Sequence, residues 1–118
     1  MADAGLFIGW GPPVRGREAK SLEVFNEAVA FHGGLQESGE IESFEVVFLG
    51  PHGGDLAGFI LVRGSQEQIA ALRDKDEFDR LNTRAGLIVE RLGVVDAALG
   101  EGLGRLVGIY QEAVDELT

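Results

Sequence analysis

The 118-residue sequence contains no cysteine. That excludes disulfides, thiolate metal ligands and a cysteine nucleophile, and it suits a reducing compartment. Basic residues are scarce: ten Lys and Arg stand against 20 Asp and Glu, for a formal charge of −10. Such a chain repels phosphate backbones and anionic lipid, so neither nucleic acid nor a membrane surface is an expected partner. No run approaches the ~18 apolar residues of a membrane span, and the opening "MADAGLFIGW" has neither the basic start nor the apolar length of a signal core. A soluble cytoplasmic protein is the expectation. Histidine occurs only twice, at His32 and His52. The metal-binding spacings H-x-x-x-H and H-E-x-x-H are absent, as is the G-x-S-x-G nucleophile elbow. No metal or cofactor is expected.

What is present is a globular composition, 45% hydrophobic, of single-domain length. Short β-rich runs predict strands over 5–10, 41–50, 56–64 and 92–99. Between them the period changes. Leu22, Phe25, Val29 and His32, with Ala28 and Leu35 beside them, mark one face of a helix over 16–38 that crosses Gly33-Gly34 and stops at Gly39. Ser65 and Gln68 form a capping-box pattern ahead of a helix over 66–73. Phe78, Leu81, Ala85, Ile88 and Leu92 predict a second segment over 77–91, and the chain closes with a helix over 102–117. The order is βαββαβ plus a terminal helix, an α+β ferredoxin-like domain with a four-stranded antiparallel sheet and a split second helical segment.

The strands carry apolar residues on both faces: Phe44, Val46 and Phe48 alternate with Val47 and Leu49, and Ile60 and Val62 with Phe59 and Leu61. A sheet with one wet face alternates cleanly. The second face therefore needs a cover, and a second copy of the chain, sheet against sheet, is the simplest one, with the terminal helix as its competitor.

"GPHGGDLAGFILVRG" and "DEFDR", in this order of elements, resemble the dimeric α/β-barrel superfamily and, within it, the YCII-like proteins. The resemblance covers roughly residues 5–99. It implies a homodimer and a catalytic pair of a first-helix histidine with an aspartate before a later phenylalanine, here His32 and Asp76. His32 would serve as base and Asp76 would orient it. The alternative for His32 is a buried ring bonded to a backbone carbonyl.

Other residues have their own readings. Trp10 and Phe44 are expected to line an apolar pocket, and Arg63 to mark its mouth or emerge into solvent. Arg15, Arg17 and Lys20 cluster where a helix N-terminus could hold an anion. His52 and its glycines read as turn chemistry. "GEGLG" at 100–104 imitates a dinucleotide-binding turn but lacks the following strand and the acidic residue about 20 positions on. The function expected is binding or transformation of a small apolar or anionic metabolite between sheet and helices. A non-catalytic dimerisation or protein-interaction module is the alternative.

Overall fold

A computed structural model describes residues 2–118. The first strand, β1 (Ala4–Trp10), stops at Gly11-Pro12-Pro13 and leads into α1 (Glu18–Ser38). The helix passes through Gly33 and Gly34 and ends where Gly39 adopts a left-handed φ of 82°. There its N–H bonds Gln36 and Leu35 carbonyls, a C-terminal cap that a side chain would strain. β2 (Ser43–Phe48) and β3 (Gly58–Gly64) form an antiparallel pair joined by a nine-residue loop over 49–57. Ser65 then caps α2 (Gln66–Arg73): its Oγ accepts from the Gln68 N–H at 3.1 Å, while the Ser65 N–H donates to Gln68 Oε1 at 2.8 Å. α3 (Asp76–Gly86), β4 (Gly93–Ala98) and α4 (Gly100–Leu117) complete the chain.

α3 ends at Gly86, five residues short of the predicted 91. Ile88 and Leu92 keep the helical spacing, but the backbone between them turns. Val89 pairs with Pro13, and Arg91 takes a φ of 55°. Burial of Ile88 set the sequence period, yet it comes from a turn folded under α1 and not from another helical turn.

The strand order β2-β3-β1-β4 is antiparallel throughout. In register, Leu6 faces Val62 and Ile8 faces Ile60 and Val94. These side chains form the main core with Leu35, Ile41, Ile69, Leu72 and Phe78. A second, smaller core gathers Val24, Leu81 and Ile88 between α1, α3 and the turn after it. Ala28 and Phe31 touch both. The core-facing line on α1 is thus buried Val24, His32 and Leu35 with half-buried Ala28 and Phe31, whereas Leu22, expected on that face, is exposed.

Among the described residues no helix covers the opposite sheet face. Three cross-strand rows make it up: Val47-Phe59-Gly9, Glu45-Leu61-Phe7-Val95 and Ser43-Arg63-Gly5-Ala97. The Phe7 and Phe59 rings meet at 4.9 Å between centroids. α4 does not cover this face. It touches the body only near its start, beside β4, and then projects. Its 18 residues, about 27 Å at 1.5 Å per residue, contribute to a longest dimension of 52 Å. No helix among the described residues is long and apolar enough to cross a membrane.

Candidate functional site

Between the helix-bearing sheet face, α1 and α3 lies a cavity of about 330 Å³. It exists because the core is divided. Ile8 and Ile60 from the sheet and Val24, Leu81 and Ile88 from the second core form opposite walls, and the two small side chains that separate them, Ala28 and Ala85, leave the space open. Aromatic residues form the mouth. Trp10, Phe25 and Phe48 contact one another with centroids 5.1–6.3 Å apart. Phe48 is 67% exposed and Leu22 66%, whereas His32, at the other end of the lining, is 1% exposed. The wall is almost wholly apolar; Ser21, Asn82, His32 and the indole N–H of Trp10 are its side-chain hydrogen-bonding groups. Its size and its few polar groups match those of small-molecule sites.

His32 sits on α1 with its ring against Phe31, Phe44 and Phe78. Nδ1 lies 2.8 Å from the Ala28 carbonyl oxygen, one turn earlier. Nε2 is buried and has no hydrogen-bond partner among the described residues. Burial holds the imidazole below its ordinary value, more strongly than the Ala28 hydrogen bond raises it.

Asp76 is not beside it. It opens α3, exposed, with Glu77 and Asp79 in the same turn, where acidic side chains complement the helix dipole. No hydrogen bond joins it to His32 among the described residues. The chain's own geometry thus supplies a histidine bonded to a carbonyl and leaves the expected carboxylate partner at the surface. Trp10 lines the cavity; Phe44 lies behind His32 and not in the wall. Arg63 is on the other sheet face, paired with Glu45 at 2.8 Å.

Arg15 and Arg17 are exposed ahead of α1, and Lys20 pairs with Glu23 at 3.0 Å. Glu18, the first residue of α1, turns its carboxylate back to the Gly16 N–H at 3.0 Å, ahead of the helix, and no side chain among the described residues caps the helix start. The three bases are absent from the cavity wall. Among the described residues, no three His, Cys, Asp or Glu side chains lie close enough to hold a metal ion.

His52 organises the β2–β3 loop: Nε2 lies 2.8 Å from the Leu56 carbonyl, and the Gly54 N–H donates to Nδ1 at 3.2 Å. In the "GEGLG" stretch a Cβ on Gly102 would collide with the Asp3 carbonyl oxygen, so this glycine lets β1's leading backbone lie against α4. Gly33 and Gly34 serve no close approach; a Cβ on either meets nothing within 4 Å. Sequence reasoning missed Phe25, Phe48, Asn82 and Ala85 as cavity residues. They come from three separate elements, α1, β2 and α3, and only Asn82 and Ala85, three apart on α3, are linked by local spacing.

No family model matches the sequence, and no curated protein matches it. Among solved structures the chain is similar to a dimeric protein of unknown function and ferredoxin-like fold from Bacteroides fragilis. The TM-score is 0.59 at 13% identity, over 81% of this chain and 96% of that one. At that identity the likeness shows the fold, which is ferredoxin-like.

Proposed function

We propose that this protein binds a small, largely apolar molecule in the cavity between its sheet, α1 and α3, and that it does so as a homodimer. The observation that carries the reading is the cavity itself: about 330 Å³ walled by apolar side chains, open through an aromatic mouth, with a buried histidine at its inner end. Most cores close such space, because an unfilled void forfeits contacts on every lining atom.

Binding is favoured over acid–base catalysis. A protonated His32 has no carboxylate to stabilise it among the described residues, and burial already disfavours the charged form. Asp76, which the YCII-like resemblance would assign that task, stands exposed at the start of α3. The anionic class of metabolite also loses support, since Arg15, Arg17, Lys20 and Arg63 are outside the wall.

The bare sheet face supports the dimer. Phe7, Val47, Phe59, Leu61 and Val95 form one apolar surface on it. A patch of that kind is characteristic of interfaces. The solved structure of similar fold is described as dimeric. α4 adds a second unpartnered stripe, Leu103, Val107, Tyr110, Val114 and Leu117, at the alternating four- and three-residue steps of a helix seam. A second copy of the chain satisfies both surfaces at once, and the ligand cavity, on the other side of the sheet, stays free.

Calorimetric titration with indane, a compact bicyclic hydrocarbon, tests the cavity. The wild-type protein binds it, and Ala85→Phe, which fills the space from α3, does not while keeping its fold. No heat of binding from the wild type, or equal binding by both, contradicts the reading.

A further inference from the structure

The hydrogen-bonding state of His32 defines what the cavity's ligand must offer, an inference that rests on the binding reading above. The Ala28 carbonyl oxygen can only accept, so the 2.8 Å contact requires His32 Nδ1 to carry a proton. In a neutral imidazole the other nitrogen then presents a lone pair. That lone pair, on Nε2, is buried and meets no donor among the described residues. Phe31, Phe44 and Phe78 surround the ring, none of which donates a conventional hydrogen bond. A second proton on the ring would place a cation among these aromatics without a paired carboxylate. An unmet acceptor inside a protein is costly, and the group that relieves it gains more than an ordinary hydrogen bond would.

We propose that the cavity takes apolar ligands bearing one hydrogen-bond donor, a hydroxyl or N–H that reaches His32 Nε2 by displacing the packing over it, since His32 belongs to the lining while Nε2 itself is closed off. Carboxylates are disfavoured twice: they bring oxygen lone pairs to a nitrogen lone pair, and they lose their hydration in an apolar wall. His52 offers the opposite arrangement. There Nε2 faces the Leu56 carbonyl and Nδ1 accepts from Gly54, so its hydrogen bonds are complete and it needs nothing from outside.

Three probes of one shape test this: indane, 5-indanol and indane-5-carboxylate, titrated against the wild type and His32→Phe. In the wild type the alcohol binds more tightly than the hydrocarbon and the carboxylate binds least. In His32→Phe the alcohol-to-hydrocarbon affinity ratio falls by about tenfold or more, whatever happens to the hydrocarbon's own affinity, the cost of leaving its hydroxyl unpaired. Nitrogen NMR of the wild type removes dependence on the variant's folding: Nε2 of His32 resonates as an unprotonated nitrogen and shifts with 5-indanol but not with indane. Equal affinities for indane and indanol, a protonated Nε2, or a wild-type Nε2 signal unmoved by bound indanol overturns the donor inference while the cavity stands. No binding by any probe overturns both.

Discussion

Nδ1 of His32 lies 2.8 Å from the carbonyl oxygen of Ala28, and both residues line the same cavity. The contact fixes the ring's orientation and its tautomer without any charged partner. Burial makes His32 sensitive to acid, because the aromatic rings packed on it from β2, α1 and α3 supply no counter-charge.

The first prediction concerns pH. Burial holds His32 below the ordinary value of 6.5. The unfolded chain therefore takes up a proton at higher pH than the folded one does. The stability this represents is present above pH 6.5 and is lost as pH falls through the lower folded value. Chemical denaturation across that window should show wild-type stability falling relative to His32→Phe as acid is added. Parallel curves for the two proteins would contradict this.

Gly34→Ala should stabilise the protein. Position 34 is exposed within α1, and a Cβ there meets nothing within 4 Å. Replacing a helix-interior glycine by alanine gains about 1 kcal/mol. A raised thermal midpoint checks it.

At Gly102 the same change has the opposite sign. The added Cβ runs into the Asp3 carbonyl oxygen, a backbone atom that also accepts from the Leu99 N–H at 3.2 Å. Gly102→Ala should cost about 1–3 kcal/mol, the range for overpacking. Hydrogen exchange should accelerate around residues 2–5 and 99–106 before it does in β3.

The bare sheet face gives a test of assembly. Leu61 lies at its centre, opposite Phe7 and Glu45. Leu61→Asp should convert a dimer into a monomer in solution-mass measurements while leaving indane binding in place. A wild-type monomer at high concentration would remove the dimer from the account.

Much of the fold was legible because its signals are local. The Ser65–Gln68 capping box and the terminating Gly39 act within a few residues, and the two-faced apolar pattern of β2 and β3 follows from strand alternation alone. The end of α3 was not legible. Ile88 is buried and Leu92 half-buried at helical spacing by a turn, and spacing reports burial before it reports backbone conformation. The site was legible at single residues and hidden as an arrangement. Trp10 and His32 stand out as rare residue types on apolar elements. Asp76 was singled out by the YCII-like resemblance alone, and its position answers to the N-terminus of α3. The cavity is a void between two core clusters, beside the small side chains Ala28 and Ala85, with walls from separate elements, and no local pattern encodes a void.

Trp10 is the only tryptophan in the chain and stands in the cavity wall, so its fluorescence reports occupancy at the site itself. The decisive measurement is Trp10 emission during titration with 5-indanol, excited where the ligand does not absorb. A saturable change in the wild type that is absent in Ala85→Phe is the predicted result. Emission that stays constant while calorimetry records a bound ligand would place the ligand elsewhere and contradict the account.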